Sequence, residues 1–143
     1  MKVAIASDHG GYTLKEAIKD SFDIKWIDLG TDNGEDSVDY PDFGHALADA
    51  LNDGVAEFGI AICGTGIGIS MALNRHEGIR AGLCTDTTMA RLTRQHNDAN
   101  ILCLGERIIG TEAAFDIVRT FLETAFEGGR HRRRIDKIEE IDQ

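Results

Sequence analysis

The stretch Phe58-Gly59-Ile60-Ala61-Ile62-Cys63-Gly64-Thr65-Gly66-Ile67-Gly68-Ile69-Ser70 decides how the fold of this chain is read. Its first six residues form a short apolar run, the pattern of a strand covered on both faces. Glycines at 64, 66 and 68 then let the backbone turn tightly, leave N–H groups uncovered and open a helix over 67–76. Apolar runs of the same kind recur at 2–6 (KVAIA), 24–29 (IKWIDL), 79–84 (IRAGLC) and 100–104 (NILCL). Helical stretches separate them near 11–21, 41–53, 87–96 and 111–126, with a last one near 131–141. In 111–126, Ala114, Phe115, Val118, Phe121, Leu122 and Ala125 recur every three or four residues, Asp116, Arg119 and Glu123 fall opposite, and Gly128-Gly129 is the expected stop. Pro41 stands at a helix start, where its missing N–H does no harm. Strand and helix in alternation demand right-handed crossovers that place helices on both sides of one sheet. The expected fold is therefore α/β: a doubly wound, Rossmann-like five-stranded parallel sheet sandwiched between helices, with a C-terminal helical extension. A ligand then belongs at the carboxyl ends of the strands. No linker, composition shift or repeat divides the chain, so residues 1–143 read as a single domain.

Composition narrows the function. With 143 residues, 42% of them hydrophobic, the chain supports one core and one site and folds without a disulfide framework. A net charge of −10 repels nucleic acid and anionic membrane, so neither is an expected partner. No apolar run approaches the roughly 18 residues of a membrane span, and Met1-Lys2-Val3-Ala4-Ile5-Ala6 passes into Asp8-His9 without a signal stretch; the expected location is cytoplasmic. Cys63, Cys84 and Cys103 are odd in number and form no C-x-x-C pair, which fits a reducing compartment. The histidines at 9, 45, 76, 96 and 131 show no ligand spacing, so no metal is expected.

The strand ends carry the polar groups: Ser7-Asp8-His9-Gly10-Gly11, Cys63 to Gly68, Cys84-Thr85-Asp86 and Gly105-Glu106-Arg107. These ends are expected on one rim, with Arg94 to Asp98 and the arginines after Gly129 contributing to the same place. Cys63, just before the amino end of a helix, is placed where thiolate is favoured and reads as a base or nucleophile, or else as a small buried hydrophobe ending its strand. Cys84 and Cys103 lack a glycine loop and read as core. Gly64-x-Gly66-x-Gly68 with Asp86 also admits a nucleotide fingerprint, but it follows the third strand and the chain leaves little room for a second substrate. Arg130 and Arg134 are four apart on one helical face, which suits a phosphate dianion, or they belong to a solvated basic end with Arg132 and Arg133. Asp8-His9 is an acid–base pair or a helix cap. His96 ends a helix whose negative terminus favours its proton, and Tyr40 lines the rim or anchors a loop. His45 and His76 read as surface or packing residues.

Taken in order, KVAIASDHGG (2–11), Asp39-Tyr40-Pro41, Ile62 to Ser70, Arg94-Gln95-His96-Asn97-Asp98-Ala99-Asn100, Gly105 to Gly110 and Glu127-Gly128-Gly129-Arg130-His131 resemble the ribose-5-phosphate isomerase type B family over nearly the whole chain. The resemblance implies interconversion of ribose 5-phosphate and ribulose 5-phosphate through an enediolate, without metal or organic cofactor. It assigns Cys63 as base, Thr65 with the amides of Gly64, Gly66, Ile67 and Gly68 as the oxyanion site, and His96 as the ring-opening acid assisted by Asp8. It gives His9, Arg130 and Arg134 to the phosphate, and Asn97 and Arg107 to the substrate, which Tyr40 also meets if it lines the rim. It also implies a homodimer or dimer of dimers whose site is built from both chains. Some relatives carry a glutamate base further along the loop; Ile69 stands there here, so the thiolate variant applies. The related galactose-6-phosphate isomerase subunits generally lose parts of these motifs, which this chain keeps. An isomerase of a six-carbon phosphosugar such as allose 6-phosphate, or a non-catalytic sugar-phosphate-binding protein, is the alternative.

Overall fold

A computed structural model describes residues 1–141. Strands β1 (Lys2–Ser7), β2 (Lys25–Asp28), β3 (Phe58–Cys63), β4 (Ala81–Leu83) and β5 (Ile101–Gly105) form one parallel sheet in the order β2-β1-β3-β5-β4. Helices α1 (Tyr12–Ser21), α2 (Tyr40–Asn52), α3 (Ile67–Leu73), α4 (Thr87–Asn97), α5 (Thr111–Glu123) and α6 (Arg130–Glu139) surround it. This is the doubly wound, Rossmann-like α/β sheet that the alternation of runs predicts.

The three central strands, β1, β3 and β5, are buried on both sides, and alternate residues divide the work. Val3, Ile5, Ile60, Ile62, Leu102 and Leu104 pack with Leu14, Ile18, Ala90, Ile117 and Phe121 from α1, α4 and α5. The residues between them, Ala4, Ala6, Ala61, Cys63 and Cys103, meet Leu47, Ala48, Ile69 and Leu73 from α2 and α3. On β1 and β3, large side chains therefore line one face and small ones the other. The small face lets α2 press close: a Cβ on Gly59 would stand 3.1 Å from Leu47 Cδ1. Burying each large aliphatic side chain contributes about 1.5–3 kcal/mol.

Several element ends differ from the periodicity, each for a side-chain reason. Helix α3 stops at Leu73, not at 76, because Asn74 turns its side chain to both the N–H and the carbonyl of Ala81, satisfying the free edge of β4. Helix α5 stops at Glu123, well before Gly128-Gly129. Thr124 turns extended, its hydroxyl donates to the Thr120 carbonyl at 2.6 Å, and its own carbonyl accepts from Arg94 Nε at 3.0 Å. Ala125, counted on the apolar face of a longer helix, is exposed. Helix α6 docks on its own chain through buried His131 and Ile135, and Glu139 pairs with Arg80 at 2.8 Å.

The chain reverses its sense of winding between β1 and β3. After β1 it passes to α1 on one face; after β3 it passes to α3 on the other. The loops following these neighbouring strands diverge there and leave a crevice at the carboxyl edge, the place where sheets of this kind bind ligands.

Candidate active site

The crevice is built from two loops that touch. A Cβ on Gly10 would lie 3.4 Å from Gly64 N, so the Asp8-His9-Gly10 turn abuts the glycine loop. Asp8 is buried and its Oδ1 accepts the Gly10 N–H at 3.0 Å, which makes it the cap of the short turn His9–Gly11. His9 Nδ1 accepts the Val38 N–H at 3.1 Å, which directs the proton of the neutral ring to Nε2.

The glycine loop has a shape that only its sequence permits. Gly66 has φ 79°, and a Cβ there would stand 2.6 Å from Leu83 Cδ1. A Cβ on Gly68 would stand 2.7 Å from the Tyr40 ring, so Tyr40 lies flat against the first turn of α3. Inside this loop the Gly66 N–H donates to Cys63 Sγ at 3.1 Å. Cys63 is only 4% exposed, yet its sulfur has a polar neighbour in that amide. Thr65 Oγ1 accepts the Ile67 N–H at 3.2 Å, leaving the hydroxyl proton free to donate. Arg107 folds over Gly64: its Cδ and Nε lie 3.5 Å from where a Cβ would be, and its N–H donates to the Gly64 carbonyl at 2.9 Å.

The other two cysteines are different in kind. Burial, then the charge of Asp86, pushes the Cys84 thiol up to about 12, and burial drives Cys103 well above its ordinary value. Both stay protonated, as core residues do.

Asp8, His9, Tyr40, Cys63, Gly64, Thr65, Gly66, Ile67, Gly68 and Arg107 thus gather on the carboxyl edge. His96, Asn97, Arg130 and Arg134 do not, which corrects the expectation of a single rim. A helix between parallel strands must run back against them, so α4 delivers its carboxyl end to the amino edge of the sheet. Cys63 pairs with Gly105 at the far end of β5, whereas Asn97 to Ala99 lead into its near end; at about 3.3 Å per residue, β5 alone separates them by roughly 13 Å. Helix α6 lies on that same amino edge, beside Arg80 and Gly78. Arg130 and Arg134 are exposed there and pair with no acid among the described residues. Arg132, which the sequence left without a role, sits over Phe126 and 3.7 Å from Asp98; nothing in the structure explains Arg133.

The pattern of residues did not reveal three features. Arg94 is buried, lies over Phe58 and Phe121, and donates to the carbonyls of Ala99 and Thr124 and to Asp98, tying the end of α4 to β5 and α5. Lys15 is 1% exposed and pairs with Asp28 at 2.8 Å. Around His96 stand His131, stacked at 4.4 Å, and Glu127, whose Oε1 lies 3.9 Å from His96 Nε2 and 3.3 Å from His131 Nε2. Glu127 and His131 are four apart, but His96 comes from a distant segment, so no local spacing brings the three together.

An open parallel sheet that holds a cysteine sulfur against bare backbone amides at its switch point, ringed by histidine and arginine, belongs to the class of α/β proteins that handle small anionic substrates. Comparison with known proteins narrows this. The family described as Ribose/Galactose Isomerase matches residues 3–138. A ribose 5-phosphate isomerase structure from Thermotoga maritima superposes with a TM-score of 0.96 at 52% identity, covering 98% of this chain and 98% of that one. Ribose-5-phosphate isomerase B of Escherichia coli is 43% identical over 145 residues, 99% of this chain and 97% of that protein. A Bacillus subtilis relative, 49% identical over 146 residues and covering 100% and 98%, is named no more finely than a sugar phosphate isomerase. The chain belongs to the ribose/galactose isomerase family and is a sugar-phosphate isomerase.

Proposed function

We propose that the chain interconverts ribose 5-phosphate and ribulose 5-phosphate, with Cys63 moving the proton between C2 and C1. The observation that carries this reading is the Gly66 N–H on Cys63 Sγ within a loop of uncovered amides. The thiolate takes the C2 proton of the open-chain aldose, the electrons fall into an enediolate, and the proton returns at C1. Aldose and ketose are isomers, so the step balances without an oxidant or an organic cofactor. The Thr65 hydroxyl and those loop amides that Cys63 Sγ and Thr65 Oγ1 do not already hold stabilise the enediolate oxygen, where charge develops. His9 through Nε2 and the Arg107 guanidinium are the nearby donors for the substrate, and Tyr40 closes the side of the crevice. Asp8 holds the turn that positions His9.

The remaining groups come from a second copy. In this reading His96 and Asn97 of one chain open the furanose over Cys63 of the other, and Arg130 with Arg134 grip the phosphate. The roughly 13 Å between the two edges supports a homodimer, or a dimer of such dimers, as the functional unit. The whole chain acts as one domain, and its three free thiols fit a reducing, cytoplasmic setting. Among the described residues no helix is long and apolar enough to cross a membrane.

The deciding experiment is direct conversion of ribose 5-phosphate in deuterated water. Wild type turns over and incorporates deuterium at the carbon next to the carbonyl, and Cys63→Ala loses both. Equal rates for the two would end the assignment.

A further inference from the structure

We propose that His96, Glu127 and His131 form a binding site for a transition-metal ion of the zinc type, separate from the Cys63 crevice within each chain. Their ligand atoms all lie within 4.8 Å of one another. Around a tetrahedral zinc ion with bonds of about 2.1 Å, ligand atoms stand about 3.4 Å apart. The distances from Glu127 Oε1 to the two Nε2 atoms, 3.3 and 3.9 Å, bracket that value. His96 stacks on His131 with the rings 14° from parallel, so its ring must turn out of the stack for both Nε2 lone pairs to meet one ion, and its side chain, 40% exposed, has room to do so.

The three donors rest on a braced frame. The Glu127 N–H donates to the Gln95 carbonyl at 3.1 Å, the His131 N–H donates to the Gly128 carbonyl at 3.2 Å, and Arg94 fastens the end of α4 from beneath. His131 is buried and fixed, whereas Glu127 is half exposed and faces solvent. Two imidazoles and one carboxylate suit zinc, cobalt, nickel or copper and do not suit magnesium or calcium, which want oxygen. Three protein ligands leave the fourth position to water. The sequence pattern offers only the Glu127–His131 spacing of four, because the third ligand comes from the end of α4, about thirty residues earlier.

The consequence rests on the role proposed for His96. A ring whose Nε2 lone pair is held by a metal cannot donate a proton there, so the bound ion blocks ring opening and the isomerase is inhibited by zinc.

The test titrates chelator-stripped full-length protein with cobalt ions and reads the visible d–d absorption. Wild type is expected to bind one cobalt per chain with tetrahedral-type bands and no thiolate-to-cobalt charge transfer, and zinc should displace it. Glu127→Gln, at an exposed position that does not threaten folding, should weaken binding by more than the roughly 10–100-fold that loss of a supporting partner costs. His131→Ala should abolish the bands, and Cys63→Ser should leave them unchanged. Absent bands, bands lost in Cys63→Ser, or unaltered affinity in Glu127→Gln would each overturn the site. Zinc inhibition of ribose 5-phosphate turnover is read separately: cobalt bound at the cluster with no inhibition by zinc leaves the site standing and removes His96 from ring opening.

Discussion

Two lesions on opposite edges of the sheet should complement each other. Cys63→Ala removes the proposed base on the carboxyl edge; Arg130→Ala with Arg134→Ala removes the proposed phosphate grip on the amino edge. Removing one charge-assisted hydrogen bond to the phosphate costs a factor of roughly 10–100, so the double arginine variant should fall by about 10²–10⁴ in kcat/KM. Both parent homodimers are then nearly silent. In the proposed dimer, because one β5 length, roughly 13 Å, parts the two edges in a single chain, each complete site would take one edge from each copy. A heterodimer of the two variants has one site with both lesions and one with neither. Co-expressed with two different tags and purified through both, it should show about half the wild-type rate per dimer in a direct ribose 5-phosphate assay. A purified heterodimer no more active than its parents would show that each chain makes its own site, and the division by sheet edge would be wrong.

Three further outcomes follow from particular interactions. Arg94→Met should unfold about 4–12 °C lower by calorimetry, because the carbonyls of Ala99 and Thr124 lose their donor in a buried place, at about 1–3 kcal/mol in all; an unchanged melting point would show that water replaces the guanidinium. Burial of the Asp28 carboxyl favours its neutral form, but hydrogen bonds from Lys15, Lys19 and the Gly30 N–H outweigh this and hold it below the usual carboxylate range. Its contribution to stability is therefore present above about pH 4 and lost as the pH falls through the lowered value, so acid unfolding followed by circular dichroism should be shallower for Asp28→Asn, from a lower starting stability at neutral pH. Gly66→Ala should cost turnover and stability together, since its Cβ meets Leu83 at 2.6 Å in a left-handed backbone; a variant with wild-type kcat would mean that the loop does not need this shape.

The fold was largely legible because the relevant signals are local. FGIAIC and ILCL are short and apolar on successive residues, which suits a strand buried on both faces, and the structure makes them the centre of the sheet. Helix ends were less legible. Thr124 ends α5 through its own hydroxyl and through Arg94, a residue far away in the chain, and Asn74 ends α3 by serving the edge of β4. Half of the candidate site was legible as well: Asp8, His9, Cys63 and the glycine loop follow strands directly and must lie at their carboxyl ends. His96 and the arginines were misplaced because a helix carboxyl end and a strand carboxyl end look alike as polar punctuation but fall on opposite edges.

The residues alone determined the number and kind of elements, the tight loop after β3 and the presence of a thiol beside it, because periodicity and glycine's freedom depend only on neighbours along the chain. Tertiary structure decided the strand order β2-β1-β3-β5-β4, the edge on which each charge emerges and the meeting of His96, Glu127 and His131. Those depend on the direction in which each connection returns and on what packs beneath it, and such distances are written in no single stretch of sequence.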